Sequence, residues 1–264
     1  MNFAPETVLE LNNLSKSYNG LPAVQNVSLT VNKGEIFGFL GPNGAGKTTT
    51  MKCCAGLLRP SGGEIRVSGF DLARQPASAK ALLGYVPDNP YLYEKLTGRE
   101  MAAFVGRLYG ATPEGLQDKI ESYFRLFEME TECDQLIQGY SRGMRQKTAL
   151  VAALLHQPLL LLVDEPTANL DPKSARLVKD IFQLIKQQGR SVFLSTHVME
   201  IAENLCDRLA IIDGGTLLAI GEMEHLRRQH HGESLEEIFL ALTGGHDPET
   251  QKVLLELTRG KEGA

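Results

Sequence analysis

The 264-residue sequence has few cysteines, no excess of positive charge and no long hydrophobic run. Its four cysteines are Cys53, Cys54, Cys133 and Cys206, and no two of them form a C-x-x-C pair. Because adjacent cysteines do not readily bond to each other, the pattern favours reduced thiols over a disulfide framework or a metal site. The formal net charge of −5 gives no electrostatic case for nucleic-acid binding, so we expect no nucleic-acid partner.

The sequence also lacks the patterns that send a chain into a membrane. Residues 1–6 have neither the positively charged start nor the apolar run of a signal peptide. The aliphatic run at 159–163 is far too short to span a bilayer. We therefore expect a soluble cytoplasmic protein that reaches the inner face of a membrane only when a partner holds it there.

A glycine-rich loop is the strongest positive signal in the sequence. The apolar run 34–40 before it predicts a buried strand, and the residues from Thr49 onward predict a helix. Strand, glycine loop and helix together are the context that a phosphate-binding loop requires. The candidate phosphate-binding residues are Gly41, Pro42, Asn43, Gly44, Ala45, Gly46, Lys47, Thr48 and Thr49, of which the first eight match G-x-x-x-x-G-K-[ST] at every fixed position.

These residue types suit the binding of a nucleotide triphosphate. Glycines let the backbone curl so that successive N–H groups point at phosphate oxygens, and the helix dipole adds positive potential. We expect Lys47 to reach the β- and γ-phosphates and the Thr48 hydroxyl to bind Mg²⁺. ATP and Mg²⁺ are therefore the expected cofactors.

A second group of polar residues follows two predicted core strands. The apolar run 160–163 leads into Asp164 and Glu165, and a strand at 191–195 leads to His197. We expect Asp164 to lie near the Mg²⁺ held by Thr48, and Glu165 to orient or deprotonate the attacking water. The His197 imidazole is placed to hydrogen-bond the γ-phosphate. Lys47, Glu165 and His197 are the candidate catalytic residues.

The remaining patterns predict an α/β protein with two additional layers. Alternating segments at 8–11, 27–31 and 62–69 predict an antiparallel β-layer beside the core. Helical spacing of apolar residues at 97–110 and 114–130, with a capping box from Thr97 to Glu100, indicates an inserted helical region. Further elements are predicted as helices at 141–156 and 173–188 and as a hairpin around Asp213-Gly214-Gly215.

The ordered set of motifs resembles the nucleotide-binding subunit of an ATP-binding cassette (ABC) transporter. Residues 41–48 match the family's Walker A loop, 160–165 match Walker B with its catalytic glutamate, and 195–197 match the switch histidine. Tyr140-Ser141-Arg142-Gly143-Met144 resembles the signature sequence, which is usually Leu-Ser-Gly-Gly-Gln, and 168–171 resemble the D-loop. The likeness covers roughly residues 7–243, and the segment 233–244 is similar to the end of the ABC-2-type exporter branch.

This resemblance implies a fold and a division of the chain. The expected fold is a RecA-like P-loop NTPase core with an antiparallel β-layer and an inserted α-helical subdomain. Residues 1–88 and 158–230 then form the catalytic core with its β-layer. Residues 89–157 form the helical subdomain that carries the signature, and 231–264 form a C-terminal helical tail.

The resemblance also implies function and partners. Two such subunits, as a homodimer or a heterodimer, would pair head to tail so that Ser141 and Gly143 contact the γ-phosphate bound by the partner's loop. Tyr18 occupies the position of an adenine-stacking aromatic. A transmembrane permease subunit is the second expected partner, received at residues 89–93 and the helical insertion, and the expected activity is ATP hydrolysis that powers export.

The sequence departs from the family pattern at several positions. In the signature, Arg142 replaces a glycine and Met144 replaces the glutamine, while Ala168 replaces a serine in the D-loop. Asp88 stands where a glutamine usually lies, with Asn89 as the alternative if the loop shifts by one residue. Because a carboxylate also binds Mg²⁺, directly or through water, Asp88 joins Thr48 and Asp164 as a candidate metal ligand.

Two other functions are compatible with parts of the pattern. A soluble ABC ATPase outside transport, for example in iron–sulfur cluster assembly, would carry the same motifs and differ in what copurifies with it. A phosphate-loop kinase would need an acceptor site and an arginine-rich lid, which the sequence does not indicate, and it would leave the signature unexplained. The transported substrate and the identity of the membrane subunit are not encoded in these motifs.

Overall fold

Two β-sheets and the helices packed on them build the molecule, and a computed structural model describes residues 6–112, 114–230 and 234–244. The strands are β1 (Thr7–Tyr18), β2 (Leu21–Asn32), β3 (Ile36–Leu40), β4 (Gly62–Val67), β5 (Phe70–Asp71), β6 (Leu83–Val86), β7 (Leu160–Asp164), β8 (Ser191–Thr196), β9 (Arg208–Asp213) and β10 (Thr216–Glu222). The helices are α1 (Lys47–Cys54), α2 (Pro76–Ala81), α3 (Gly98–Leu108), α4 (Leu116–Leu126), α5 (Arg142–Leu154), α6 (Pro172–Gln187), α7 (Met199–Leu205), α8 (Met223–His230) and α9 (Leu235–Thr243).

The larger sheet has six strands in the order β10-β9-β3-β8-β7-β6, and all of them except β10 run parallel. β3, β7 and β8 are buried along their whole length, which explains why their sequences are apolar runs instead of alternating patterns. The carboxyl ends of the parallel strands meet at one edge of the sheet. The phosphate loop, Glu165 and His197 each begin where one of these strands ends, so the topology gathers them at that edge.

The smaller sheet is antiparallel, in the order β2-β1-β4-β5, and it confirms the predicted β-layer. β1 and β2 are longer than the strands predicted at 8–11 and 27–31, because they pair from Thr7 with Asn32 to Tyr18 with Leu21. Register shifts interrupt this pairing at several points. Such bulges break strict alternation, so a search for period-two patterns finds only part of each strand.

Three helices, α3, α4 and α5, form most of the helical insertion. The predicted capping box is present: the Thr97 side chain accepts from the Glu100 backbone N–H at 3.1 Å, and the Thr97 N–H donates to the Glu100 carboxylate at 2.9 Å. α4 is shorter than the predicted 114–130, because the backbone is left-handed at Gly115 before it and at Glu128 after it. α5 begins at Arg142, and Ser141 caps it instead of forming its first turn.

The last helices make a separate hydrophobic cluster against the outer strands of the parallel sheet. Leu226, Leu235 and Ile238 are buried together with Leu209 and Ile211 of β9. The predicted C-terminal helical tail, 231–264, is seen in part, as α9, and its residues 231–233 and 245–264 lie outside the described ranges. No helix within the described ranges combines the length and the apolar character that crossing a membrane requires.

Candidate nucleotide site

The phosphate loop is pressed so closely against neighbouring backbone that only glycine fits at two of its positions. The Gly41 N–H donates to the Thr196 carbonyl at 3.3 Å, and a Cβ added at Gly41 would lie 2.3 Å from the Ile212 carbonyl oxygen. Gly46 has a φ of +102°, and a Cβ there would lie 2.5 Å from the Ala23 carbonyl oxygen. The shape of the loop is therefore fixed by β2 and by the end of β9.

The hairpin between β9 and β10 supports this loop from behind. The Gly215 N–H donates to the Ala45 carbonyl at 3.1 Å, and the Gln25 N–H donates to the Gly215 carbonyl at 2.8 Å. The Gln25 side chain adds a bond to the Gly214 carbonyl at 3.1 Å. The sequence predicts 213–215 as a hairpin turn but carries no signal of this supporting role, because the contact joins residues far apart in the chain. Asn43 at the outer side of the loop is exposed.

Lys47 lies buried at the start of α1 with its ammonium group facing back into the loop. Its Nζ donates to the carbonyls of Gly41 at 2.7 Å and Pro42 at 3.1 Å, and it lies 3.7 Å from Glu165 Oε1. Burial lowers the pKa of Lys47, while the charges of Glu165 and Asp164 oppose that shift. A cation confined in this way, beside a ring of backbone groups, is suited to binding phosphate oxygens.

Glu165 stands between the buried lysine and the histidine of the next strand end. Its Oε1 is 2.9 Å from His197 Nδ1 and 3.7 Å from Lys47 Nζ. Its backbone is left-handed, with a φ of +52°, and its N–H donates to the Ser195 carbonyl at 3.0 Å. Because this conformation is costly for a residue other than glycine, its presence at a strand end points to a functional constraint. The structure thus brings the three candidate catalytic residues together.

Asp164 has one carboxylate oxygen paired and the other available. Oδ1 accepts a hydrogen bond from the Ser195 hydroxyl, whereas Oδ2 is buried without a hydrogen-bond partner among the described residues. Thr48 is exposed at the start of α1, and Asp88 is exposed just beyond β6, at the same edge of the sheet. At nucleotide sites, Mg²⁺ is usually coordinated by a hydroxyl or one or two carboxylates from the protein, and phosphate oxygens and water supply the other ligands. The residue types of Thr48, Asp164 and Asp88 therefore fit Mg²⁺.

Ser195 also belongs to this site, although no sequence motif marks it as a ligand or hydrogen-bond donor. It lies on β8 beside Asp164 of β7, and the two side chains share one face of the sheet. Its position next to Thr196 and His197 was visible in the sequence. The pairing of β8 with β7, which turns a strand serine into the hydrogen-bond donor for Asp164, was not.

Tyr18 lies at the outer rim of the same region. It is the last residue of β1, is 44% exposed, and pairs with Leu21, which is 74% exposed. The Lys16 ammonium group lies 5.2 Å from the centre of the Tyr18 ring. Ala23, two residues after Leu21 on β2, packs against Gly46 of the phosphate loop. The exposed Tyr18 ring therefore lies near that loop.

The signature segment forms a second, separate helix start. Ser141 is exposed and caps α5, accepting from the Met144 N–H at 3.2 Å. A Cβ added at Gly143 would lie 2.8 Å from the Asn169 carbonyl oxygen, so this turn packs against the D-loop of the same chain. In the described part of the chain, no hydrogen bond or ion pair joins Ser141 or Gly143 to the phosphate loop.

A surface groove of about 180 Å³ opens beside the helical insertion. Tyr91 at its edge is 92% exposed, and His156 stacks on Tyr109 with ring centres 3.9 Å apart. We call it the docking groove, and it is lined by Gly84, Tyr85, Pro87, Pro90, Tyr91, Leu92, Met101, Val105, Tyr109, Ala149, Ala152, Ala153 and His156. It contains Pro90, Tyr91 and Leu92 from the segment 89–93, which the family resemblance predicts as a partner surface.

Comparison with known proteins agrees with these motifs and this geometry. The family model described as "ABC transporter" matches residues 24–168. The ABC transporter ATP-binding protein NatA of Bacillus subtilis is 39% identical over 220 residues, covering 83% of this chain and 89% of NatA. The Nod factor export ATP-binding protein I of Rhizobium sp. is 35% identical over 234 residues, covering 89% of this chain and 77% of that protein.

A solved structure extends the match to three dimensions and confirms the predicted fold class. The structure of an ATP-binding subunit of an ABC transporter superposes with a TM-score of 0.85 at 34% identity, covering 89% of this chain and 99% of that one. Sequence motifs, fold and relatives therefore agree: the chain belongs to the ABC transporter family.

Proposed function

We propose that this chain is the ATP-hydrolysing subunit that powers a membrane exporter. Membership of the family makes nucleotide binding and ATP hydrolysis its general activity. The observation that best supports a working site is Glu165, whose Oε1 lies within 4 Å of both Lys47 Nζ and His197 Nδ1. In this proposal the core, 1–88 and 158–230, holds the nucleotide, and the subdomain 89–157 carries the signature.

ATP binding is assigned to the phosphate loop and to Tyr18. The loop residues 41–49 present backbone N–H groups to the phosphates, and Lys47 contacts the β- and γ-phosphates. The exposed Tyr18 ring stacks on the adenine, a contact that needs no particular base-edge geometry. When phosphate arrives, the Lys47 ammonium group exchanges its two carbonyl bonds for charge-assisted bonds to phosphate oxygens.

Hydrolysis is assigned to Glu165 with His197 beside it. The Glu165 carboxylate accepts a proton from the attacking water or orients it toward the γ-phosphate. The His197 ring, at hydrogen-bond distance from Oε1, holds that carboxylate in place and faces the γ-phosphate with its other nitrogen. Thr48, Asp164 and Asp88 would hold Mg²⁺, which when bound supplies charge neutralisation at the β- and γ-phosphates.

The dimer is assigned to the exposed start of α5. Ser141 and Gly143 contact the γ-phosphate bound by the partner, so ATP is held between two subunits, either two copies of this chain or this chain and a relative. A helix start is a favourable place for an anion, and Ser141 at this one is exposed. ATP binds the closed pair better than the open pair, and hydrolysis reopens it.

The docking groove is assigned to a transmembrane permease subunit, which would place this chain on the inner face of the cell membrane. The direction of transport is inferred from a relative named for export and from the likeness of 233–244 to exporter subunits. The alternative of a soluble ATPase in iron–sulfur cluster assembly is not favoured, because the relatives are named as transporter proteins.

The first test is Glu165→Gln, which keeps the size of the side chain and removes its capacity as a base. We expect ATP hydrolysis to fall about a hundredfold or more, and ATP to convert the protein into a stable dimer in size-exclusion chromatography. Glu200→Gln, a neutralisation at an exposed position on α7, is the matched control and is expected to behave like the wild type. Unchanged turnover in Glu165→Gln contradicts the assignment of this residue.

The second test addresses the partner. The chain is expressed with the membrane protein encoded beside its gene, and copurification from detergent is measured for the wild type and for Tyr91→Ala in the docking groove. We expect the wild type to copurify and the variant to lose most of the complex while keeping its own ATP binding. A chain that hydrolyses ATP but never associates with a membrane protein contradicts the transport half of the proposal.

A further inference from the structure

The two oxygens of the Asp164 carboxylate have different surroundings. Oδ1 is held by the Ser195 hydroxyl from β8. Oδ2 has no hydrogen-bond partner among the described residues, and the whole residue is only 1% exposed. A buried carboxylate oxygen without a partner is costly. Because each carboxylate oxygen accepts at two lone-pair sites, Oδ2 has room for a hydrogen-bond donor held by the protein as well as for Mg²⁺.

A second unpartnered oxygen lies on the other side of Asp164. The hydroxyl of Tyr85 on β6 is buried, and within the part of the chain that the structure describes it also has no hydrogen-bond partner. Tyr85 pairs with Leu162 in the parallel register of β6 and β7, and Asp164 follows Leu162 by two residues. Since side chains alternate along a strand, Tyr85 and Asp164 lie on the same face of the sheet. This diagonal separation is within the reach of an aromatic side chain.

The electrostatics agree with this placement. Burial raises the pKa of Tyr85 most, and the negative charges of Asp164 and Asp88 raise it further. The hydroxyl therefore stays protonated and can act as a donor. The two groups do not hydrogen-bond to each other, and a single water that accepts from the Tyr85 hydroxyl and donates to Asp164 Oδ2 would satisfy both.

We propose that Tyr85 is a positioning residue that holds Asp164 through one bridging water. Ser195 and Tyr85 then fix the carboxylate from the two neighbouring strands, β8 and β6. The inference rests on the proposed function, in which Asp164 contributes to the metal–nucleotide site. Groups that orient a metal-binding carboxylate typically change metal affinity by tenfold or more when they are removed.

The test is Tyr85→Phe, which removes only the hydroxyl. Mn²⁺ replaces Mg²⁺ as a probe, and its binding is measured by electron paramagnetic resonance in the presence of a non-hydrolysable ATP analogue. We expect Mn²⁺ affinity to fall about tenfold, while binding of the analogue in EDTA stays unchanged. Tyr123→Phe is the matched control, since Tyr123 is another tyrosine whose pKa is raised by burial but which lies on α4, away from the site.

A double-mutant cycle separates positioning from a general loss of structure. Ser195→Ala removes the other bond to Asp164, and we expect the effects of Tyr85→Phe and Ser195→Ala on Mn²⁺ affinity to be non-additive, since both act on one carboxylate. If the Tyr85 hydroxyl is merely an uncompensated buried group, Tyr85→Phe instead raises the melting temperature and leaves Mn²⁺ affinity unchanged, which overturns the inference. Failure of the wild type to bind Mn²⁺ with the analogue counts against the proposed function instead.

Discussion

The N-termini of helices α1 and α5 are capped in different ways. At α1 the capping position is Gly46, whose missing side chain leaves the first N–H groups without a side-chain cap. At α5 the capping position is Ser141, whose hydroxyl already accepts from the Met144 N–H. The N-terminus of α1 is partly enclosed and carries the buried Lys47, whereas Ser141 at the N-terminus of α5 is exposed. In the function proposed above, the phosphate-binding half is complete within one chain, whereas the signature half is completed by a partner.

The largest expected effect tests the half that is complete within the chain. Lys47→Ala removes the only buried ammonium group among the described residues of the loop and leaves the Glu165 carboxylate without its cation. We expect ATP affinity of the isolated subunit to fall about 10²–10³-fold, because a preorganised charge in a desolvated site is lost. Fluorescence titration with a labelled nucleotide measures it. Near-normal ATP affinity in Lys47→Ala would contradict the assignment of phosphate binding to the α1 helix start.

The next effect concerns packing, and two glycines of the same loop provide the contrast. Gly46→Ala places a Cβ 2.5 Å from the Ala23 carbonyl oxygen at a left-handed φ, and we expect a loss of about 3 kcal/mol in the free energy of unfolding. Gly44 is also left-handed, but nothing lies within 4 Å of an added Cβ. Gly44→Ala is therefore expected to cost about 1 kcal/mol, from backbone strain alone. Equal losses in urea denaturation would contradict the close contact with β2.

The smallest effect on stability tests the half completed by the partner. Ser141→Ala removes the α5 cap and is expected to cost about 1 kcal/mol, with nucleotide binding by the monomer unchanged. Ser234→Ala is the control, because Ser234 caps α9 through the same type of bond, accepting from the N–H of Glu237 three residues later at 3.2 Å. In the Glu165→Gln background, we expect ATP-driven dimerisation to weaken in Ser141→Ala only. Equal ATP-driven dimerisation in both variants would contradict a contribution of Ser141 to the dimer interface.

Local patterns were sufficient for the parts of the fold and site that depend on neighbours in sequence. The phosphate loop, the apolar runs of the parallel strands and the capping box at Thr97 are all local, and the structure contains each of them where it was predicted. The strand ends also placed Asp164, Glu165 and His197 correctly at one edge of the sheet, because parallel strands share that edge. Their roles in catalysis and metal binding stay predictions.

Contacts between distant segments could not be predicted from local patterns. The hydrogen bond from the Gly215 N–H to the Ala45 carbonyl joins the β9–β10 hairpin to the phosphate loop, two segments that lie far apart in the sequence. The Ser195 bond to Asp164 depends on which strand becomes the neighbour of β7. The left-handed backbone of Glu165 has no residue-type signal, since glutamate is not a residue that favours it. Each of these features is decided by tertiary packing.

The low reactivity expected of the four natural cysteines makes site-directed spin labelling of this protein practical. Burial raises the pKa of Cys53 to about 11 and that of Cys206 to about 12, and it also raises the pKa of Cys54 and Cys133. Because the thiolate is the reactive species, the natural thiols are poor targets for maleimide reagents at neutral pH. A single cysteine introduced at an exposed position such as Arg176 is therefore expected to take a spin label selectively. The separation of two subunits can then be followed without first replacing the natural cysteines.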